Sequence, residues 1–205
     1  MIGFFDLTLI GDRGKISSYV RTNEVRIMNT SEKILSTAIE CLSTRGYANV
    51  SMRDIAKRAG VALSQLTYHY KTKESLYSSV IDSMASKYLS DIAMKLKQTE
   101  DIKHKYSLLI EYFRELLQKQ PNLFKLFMDF TAQALWNPVF ADKLNELFKN
   151  ISNILEEKIF VDYQNSAEAF SRLLIGALYG VLTQAIISTD KIGLESLNAL
   201  ETVLD

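Results

Sequence analysis

The sequence contains few of the residues that build turns and cross-links. It has two prolines and eight glycines in 205 residues, too few for a turn-rich β-sandwich or barrel, so the composition favours a helical chain. Cys41 is the only cysteine, which excludes an internal disulfide and a multi-thiolate metal site and indicates a reducing compartment. We expect Cys41 to be a buried, small apolar side chain.

The sequence also lacks the residue groupings of common metal and catalytic sites. Its two histidines, His69 and His104, lie far apart, and no Cys-His pair, Ser-His-Asp set or phosphate-binding loop is present. We therefore predict no catalytic residue, no metal and no cofactor. Of the functions considered, a small all-α enzyme is the least favoured.

No segment has the pattern of a targeting or membrane-spanning sequence. Residues 1–27 carry no basic residue before their first apolar stretch, which also contains Asp6, so they make a poor signal peptide. The most apolar later run, Leu173–Ile187, is about 15 residues long. A spanning helix needs roughly 20. We expect a cytoplasmic protein without a membrane partner.

The formal net charge of zero conceals an asymmetry between the two ends of the chain. Residues 1–76 hold 11 Lys and Arg against 7 Asp and Glu, a net charge of +4. Residues 77–205 hold 13 against 17, a net charge of −4. A basic front end on an acidic body suits a protein that meets an anionic partner through one end.

The hydrophobic periodicity predicts helices along the chain after a leader. The predicted ranges are 32–45, 51–58, 62–69, 72–96, 102–119, 122–136, 138–160, 165–188 and 193–204. Gly46 is expected to end the first helix, and Ser51 and Thr72 to cap the second and fourth. Asn29, Thr30 or Ser31 would cap the first. The fold class is therefore all-α.

The leader, residues 1–27, lacks helical periodicity and leaves two interpretations open. Its apolar segments would pass for a small hairpin, which is marginally stable alone, or the leader is disordered. Alternatively, Met28 is the true start and the leader is not part of the native protein.

Residues 51–76 have the spacing of a helix-turn-helix. Two short helices are joined by a turn that contains Gly60, where a side chain would oppose the backbone geometry. Ala56 is small, where two helices must cross closely, and Ile55, Val61 and Leu66 are apolar. A helical hairpin without a DNA role has the same spacing, so the pattern alone leaves both open.

The run Glu32–Val80 resembles the DNA-binding domain of the tetracycline-repressor (TetR) family. The matching residues are Ile34, Leu35, Ala38, Gly46, Tyr47, Ser51, Asp54, Ile55, Ala56, Ala59, Gly60, Val61, Tyr68, His69, Tyr70, Lys73, Glu74 and Leu76. The sequence departs from the usual pattern at Ala62, Thr67 and Tyr70. The resemblance implies a helix-turn-helix domain over residues 28–76, followed by a helical effector-binding and dimerisation domain over 77–205.

Groove chemistry then assigns candidate DNA contacts. They are Ser51, Arg53, Ala62, Leu63, Ser64, Gln65, Tyr68, His69 and Lys73. Residues early on a recognition helix face base edges, so Leu63 is expected at a thymine methyl and Gln65 at adenine. Ser64 is a further candidate at base edges, and Ala62 offers only a small apolar contact. Arg53 is expected at a phosphate or a guanine. The other candidates are expected at phosphates. We expect Lys57 and Arg58 on a solvated face, and Tyr70 in the core.

The second domain is rich in aromatic residues, which either fill a core or line a ligand pocket. The expected pocket residues are Phe113, Phe127, Met128 and Trp136. Gly176, Ala177 and Gly180 would permit close helix packing, either within one subunit or, as the resemblance implies, across a homodimer interface formed by the last two helices. The last helix also has an apolar stripe that must be buried against another surface. It consists of Leu194, Leu197, Leu200 and Leu204.

Together these features favour a DNA-binding transcriptional regulator. The resemblance implies a homodimeric repressor that a largely apolar small-molecule effector releases from a palindromic, double-stranded operator. The alternative is an effector-independent architectural or chromosome-associated DNA-binding protein.

Overall fold

The computed structural model describes residues 28–188 and 192–204. The predictions for the leader, residues 1–27, lie outside the described residues. Throughout the part described, the regular structure is helical and no strand occurs, which confirms the all-α fold class.

Nine α-helices and one short 3-10 helix make up the described residues. They are α1 Thr30–Arg45, α2 Met52–Ala59, α3 Leu63–His69, α4 Lys73–Leu96, α5 Ile102–Lys119, α6 Pro121–Ala134, α7 Pro138–Lys158, the 3-10 helix Val161–Ser166, α8 Ala167–Ile187 and α9 Ile192–Leu204. The breaks fall where proline, glycine and capping residues predict them.

Side-chain caps explain where most of the early helices begin. Asn29, Ser51 and Thr72 precede α1, α2 and α4, and each side chain accepts a hydrogen bond from a backbone N–H of the first turn. Gly46 ends α1 at φ +77°, and Gly60 ends α2 in the left-handed conformation at φ +63°. Side chains disfavour positive φ, so glycine is the residue suited to both positions.

Helices α1–α3 pack around one small core that fixes their relative positions. Ile34, Leu42, Ile55 and Leu66 are almost fully buried at its centre. Cys41 is 2% exposed, which confirms its prediction as a buried residue. The α2–α3 turn is closed by the Val61 N–H, which donates to the Ala56 carbonyl over 3.0 Å.

Helix α4 runs without interruption from the helix-turn-helix into the C-terminal body. Near its start, Leu76 and Tyr77 are buried with the first three helices. Further along, Tyr88, Ile92 and Leu96 are buried in the core of the body. One continuous helix therefore connects the helix-turn-helix with the C-terminal body, because its apolar stripe is buried in both.

Helix α8 is apolar, but few of its residues are buried. It is 21 residues long, has a mean hydropathy of 1.5 over its most apolar 18 residues, and only 22% of that window is buried. The apolar run Leu173–Ile187 is the C-terminal part of this helix, which lies within the predicted range 165–188. By length and composition alone this helix could cross a membrane. A surface that packs against another subunit has the same character.

Candidate nucleic-acid interface and apolar cavity

Helix α3 shows nearly all of its surface to solvent. Within it, Leu66 is the one buried residue and anchors the helix to the core. The exposed residues at its start and along its length include the predicted contacts Ala62, Leu63, Ser64, Gln65, Tyr68 and His69. Tyr68 is 82% exposed, and its ring meets that of His69 edge to face at 5.3 Å. A short, anchored and exposed helix has the form that enters a major groove.

The basic side chains of α2 differ in their surroundings. Arg58 forms an ion pair with Glu40 of α1, so its guanidinium ties α2 to α1 across the surface. Lys57 and Arg53 are exposed. Arg53 lies in the first turn of α2, beside the α2 N-terminus that the sequence predicted to favour phosphate.

The Gln65 side chain already makes a hydrogen bond within the protein, so only part of it remains for the predicted contact with a base. Its Oε1 accepts a hydrogen bond from the Ala62 backbone N–H over 3.1 Å, which caps the N-terminus of α3. A bidentate contact with adenine uses both the amide oxygen and the amide nitrogen. In this conformation the Nε2 donor is the group that remains for a base.

Ser51 is engaged with Asp54. Its Oγ accepts from the Asp54 backbone N–H over 3.2 Å, while its own N–H donates to Asp54 Oδ2 over 2.9 Å. The Ser51 hydroxyl also bonds this carboxylate and is the main reason that the Asp54 pKa lies below its ordinary value. A phosphate at Ser51 would therefore lie beside a carboxylate.

Lys73 faces the protein. Its Nζ donates to the Tyr47 carbonyl over 3.3 Å and lies 4.5 Å from the centre of the Tyr47 ring and 5.1 Å from that of Tyr77. The Lys73 ammonium has three protons and donates one of them to the Tyr47 carbonyl. Two protons remain that it can donate to a phosphate. Tyr70 is half-buried, with its Oη 3.0 Å from Ser31 Oγ.

A cavity lies between five helices of the C-terminal body. It is lined by Tyr88 and Ile92 of α4, Leu109, Phe113 and Leu116 of α5, Phe124 and Phe127 of α6, Leu147, Phe148, Ile151 and Leu155 of α7, and Ile175, Leu178, Tyr179 and Leu182 of α8. The centre of a water-sized sphere can occupy about 60 Å³ of this space.

Two of the four predicted pocket residues, Phe113 and Phe127, line this cavity, and two do not. The structure places Met128 and Trp136 outside the lining of this cavity. Met128 is the next residue after Phe127, so on a helix its side chain points about 100° away from the cavity face. Trp136 lies beyond the end of α6 and is 88% exposed.

The remaining lining residues were missed because no local pattern marks them. Tyr88 and Ile92 sit on an apolar stripe that the sequence did identify, yet the same spacing describes a closed core. Whether such a residue lines a cavity or fills a closed core is decided only by how α4 packs with α5–α8. Among the described residues, no group of three or more His, Cys, Asp or Glu side chains is arranged to hold a metal ion.

Comparison with known proteins agrees with this geometry. Residues 34–80 match the family of bacterial regulatory proteins called the tetR family. This match covers α2, α3 and most of α1, and ends within α4.

Two curated relatives extend beyond that domain. The fatty acid metabolism regulator protein of Bacillus subtilis (strain 168) is 27% identical over 124 residues, which are 60% of this chain and 63% of that protein. The nucleoid occlusion factor SlmA of Vibrio atlanticus (strain LGP32) is 24% identical over 133 residues, 64% of this chain and 67% of that protein. The chain thus spans just under two thirds of the length of the first relative.

The fold as a whole matches a solved structure. A TetR transcription regulator from Haloarcula marismortui superposes with a TM-score of 0.75 at 22% identity, covering 85% of this chain and 95% of that one. At this identity the likeness establishes the fold.

Proposed function

We propose that this chain is a DNA-binding transcriptional regulator, because residues 34–80 match the family of bacterial regulatory proteins called the tetR family. It acts as a repressor that a small-molecule effector releases from a palindromic operator. The observation that carries the proposal is that one helix, α4, follows the exposed helix α3 in the chain and also lines an apolar cavity in the body. Residues 28–76 bind DNA, and residues 77–205 bind the effector and form the dimer.

The proposed operator contacts fall into two groups. Leu63, Ser64 and Gln65, with Ala62 beside them, meet base edges from the exposed start of α3. Arg53, Tyr68 and His69 are exposed and meet phosphates, which set the register on the duplex. Ser51 and Lys73 also meet phosphates. The Ser51 N–H is at the same time hydrogen-bonded to Asp54, and the Lys73 ammonium to the Tyr47 carbonyl.

A homodimer is supported by the exposed apolar face of α8. Leu173 is 67% exposed and Ile187 is 71% exposed on this helix. A Cβ atom added at Gly176 or Gly180 would meet nothing within 4 Å, so packing within the described subunit does not account for these glycines. On α9, Leu197 is buried and Leu200 packs against the core, while the side chains of Leu194 and Leu204 lie outside the described residues.

The effector acts by favouring one of two dimer geometries. The cavity is lined by Tyr88 and Ile92, which lie on the same helix as Lys73 beside the DNA-binding domain. A ligand that binds one arrangement of α4 more tightly shifts the population toward it. In that arrangement the two recognition helices no longer match successive major grooves, because half-sites lie about one helical turn apart.

The proposal is tested by fluorescence anisotropy on labelled DNA from upstream of the protein's own gene. We expect tight, salt-dependent binding that scrambled DNA lacks, and release of the DNA by apolar small molecules. The double variant Ser64→Ala/Gln65→Ala should lose the preference for this DNA, whereas Gln118→Ala, at an exposed position on α5, should keep it. Equal affinity of the wild type for both DNAs would contradict the proposal.

The second candidate is an effector-independent, chromosome-associated DNA-binding protein. The similarity to a protein named nucleoid occlusion factor SlmA favours it. It requires the same α3 surface but no response to a cavity ligand. Binding to many chromosomal sites, unchanged by any apolar molecule, would select this function. Both functions place the protein in the cytoplasm and need no enzymatic activity, cofactor or membrane.

A further inference from the structure

Two buried tyrosine hydroxyls lie close together between α4 and α5. Tyr88 and Tyr112 are each 8% exposed, and neither hydroxyl makes a hydrogen bond in the part of the chain that the structure describes. Buried hydroxyls are nearly always hydrogen-bonded, because leaving one unpaired costs free energy. A small rearrangement that gives these hydroxyls an acceptor would therefore be favourable.

The Asp91 carboxylate is an acceptor close to both hydroxyls. Asp91 follows Tyr88 by three residues on α4, so the two side chains share one face of the helix. Burial raises the pKa of Tyr88, and Asp91 raises it further. Burial, Tyr88 and Asp91 likewise raise the pKa of Tyr112, as a nearby acceptor does. The carboxylate is thus within reach of the hydroxyls without forming a hydrogen bond of ordinary geometry to either.

In the described conformation Asp91 is paired with a lysine instead. Its Oδ2 lies 3.1 Å from the Nζ of Lys87, one turn earlier on α4, and both side chains are partly exposed. An ion pair in contact with water contributes little to stability. Asp91 can therefore exchange this pair for a hydrogen bond from a buried hydroxyl at small cost.

The rings of the two tyrosines connect their hydroxyls with the cavity. The Tyr88 ring lines the cavity and meets the Phe127 ring edge to face at 6.1 Å. The Tyr112 ring meets that of Phe113, another lining residue, edge to face at 5.1 Å. Almost none of the cavity surface is polar, so the Tyr88 hydroxyl lies on the far side of its ring. A molecule that fills the cavity presses on these rings and moves the hydroxyls outward, toward Asp91.

We propose that Asp91 is a shared acceptor, which pairs with Lys87 when the cavity is empty and accepts hydrogen bonds from Tyr88 and Tyr112 when it is filled. The inference rests on the proposed effector role of the cavity and adds the contact through which α4 senses that the cavity is occupied. Neither Asp91 nor Lys87 lines the cavity, so both are positioning residues.

A double-mutant cycle on thermal unfolding tests the exchange without ligand or DNA. In the wild type, Tyr88→Phe/Tyr112→Phe removes two unpaired hydroxyls, so the melting temperature should stay the same or rise. Lys87→Gln removes the competing partner of Asp91. In that background the same tyrosine changes should lower the melting temperature by about 2–4 °C, because a hydrogen bond now depends on the hydroxyls. Any other interaction of Lys87 is lost in both arms of the cycle and cancels.

The matched control is Lys119→Gln. It breaks another ion pair between residues four apart, that of Lys119 with Glu115 over 3.4 Å on α5. The tyrosine changes should have the same effect in this background as in the wild type.

Calorimetric titration with toluene, an uncharged single ring, tests the link to the cavity. By linkage, a substitution that favours the arrangement of the filled cavity raises the affinity for the molecule that fills it. We expect Lys87→Gln to bind toluene about three- to tenfold more tightly than the wild type. This gain should vanish when Tyr88→Phe/Tyr112→Phe is added, and Lys119→Gln should bind toluene as the wild type does.

The following results would overturn the inference. A fall in melting temperature when the tyrosine changes are made in the wild type would show that the hydroxyls are already hydrogen-bonded. Equal effects in the wild-type and Lys87→Gln backgrounds would show that Lys87 and the tyrosines do not share Asp91. Toluene that does not bind, or that binds both proteins equally, would show that filling the cavity does not favour the exchange.

Neither measurement contains DNA, so a failure here is separable from a failure of the proposed function. That function fails instead if the protein does not distinguish its operator from scrambled DNA.

Discussion

The backbone N–H of Tyr47 donates a hydrogen bond to Asp129 Oδ2 over 2.6 Å. This bond joins the second residue after the end of α1 to helix α6, across 82 positions of sequence. Asp129 also lies 3.3 Å from where a Cβ at Gly46 would be, so α6 approaches this turn closely. Two residues before Asp129, Phe127 lines the cavity. Helix α6 therefore touches both the proposed DNA-binding domain and the cavity.

The surroundings of Tyr47 reinforce this connection. Its ring meets those of Tyr77, Phe130 and Phe140 edge to face, with centres 5.3, 6.5 and 6.0 Å away. The Lys73 ammonium lies over the same ring. Residues of α4, α6 and α7 thus meet at one tyrosine, which gives a displacement in the body a direct contact with the helix-turn-helix.

Asp129→Asn should weaken this link. The amide keeps an oxygen acceptor but removes the charge that strengthens the bond to the Tyr47 N–H. We expect the free energy of unfolding to fall by about 1–2 kcal/mol, and release of the operator by an apolar effector to need more ligand. Urea denaturation and anisotropy titration measure the two effects. Asp142→Asn, an exposed carboxylate on α7, is the control; equal behaviour of the two variants would contradict a coupling role for Asp129.

Stability on the acid side should depend on the cap of α2. Hydrogen bonds from Ser51 lower the pKa of Asp54 from its ordinary value of 3.8. Because the folded-state pKa is lower than the unfolded one, the contribution is complete above about pH 4 and is lost as the pH falls through the lowered value. The difference in unfolding free energy between the wild type and Asp54→Asn should therefore shrink below pH 4. A difference that stays constant from pH 6 to pH 2 would show that Asp54 does not titrate in this way.

Gln65→Ala should change which DNA is preferred. We expect a cost of about 1–3 kcal/mol on the operator and a relaxed preference at one position in each half-site. The substitution also removes the bond to the Ala62 N–H, so thermal unfolding should be recorded alongside DNA binding. Gln65→Glu separates the effects, because it keeps the capping oxygen and loses the amide donor.

Anisotropy on the operator and on scrambled DNA distinguishes the outcomes for Gln65, with Gln118→Ala as the matched control. If Gln65→Ala lowers both affinities by the same factor, Gln65 does not read a base. Recognition would then rest on Leu63 and Ser64, which are exposed on the same turn of α3.

Gly180→Asp should separate the subunits. A carboxylate on the apolar face of α8 would be buried without a partner in a dimer, which is unfavourable. Dimerisation and operator binding should weaken together, since a dimer gains affinity by engaging both half-sites. Light scattering at micromolar concentration measures the first effect. Gln118→Asp adds the same charge on α5 and should leave the dimer intact; a monomeric wild type would contradict the proposed interface.

Local features of the sequence were sufficient to predict most helix boundaries. Ser51 and Thr72 cap their helices as expected, and Gly46 and Gly60 end theirs at positive φ. These features involve residues within a few positions of each other, so their hydrogen bonds form wherever the chain adopts that local geometry. The helix-turn-helix was predictable for the same reason, since its turn and its short helices follow from one continuous segment.

The cavity was not predictable from local sequence, because it depends on the tertiary structure. The same holds for the hydrogen bonds between distant residues that occupy a candidate contact residue such as Lys73. Trp136 and Phe127 look alike in sequence, yet one is exposed and the other lines the cavity, because only the packing of α4–α8 decides which face is enclosed. Lys73 reaches the Tyr47 carbonyl across 26 positions, and Asp129 reaches the Tyr47 N–H across 82. Periodicity assigns a residue to a helix face, but which groups that face meets is decided by distant segments brought together during folding.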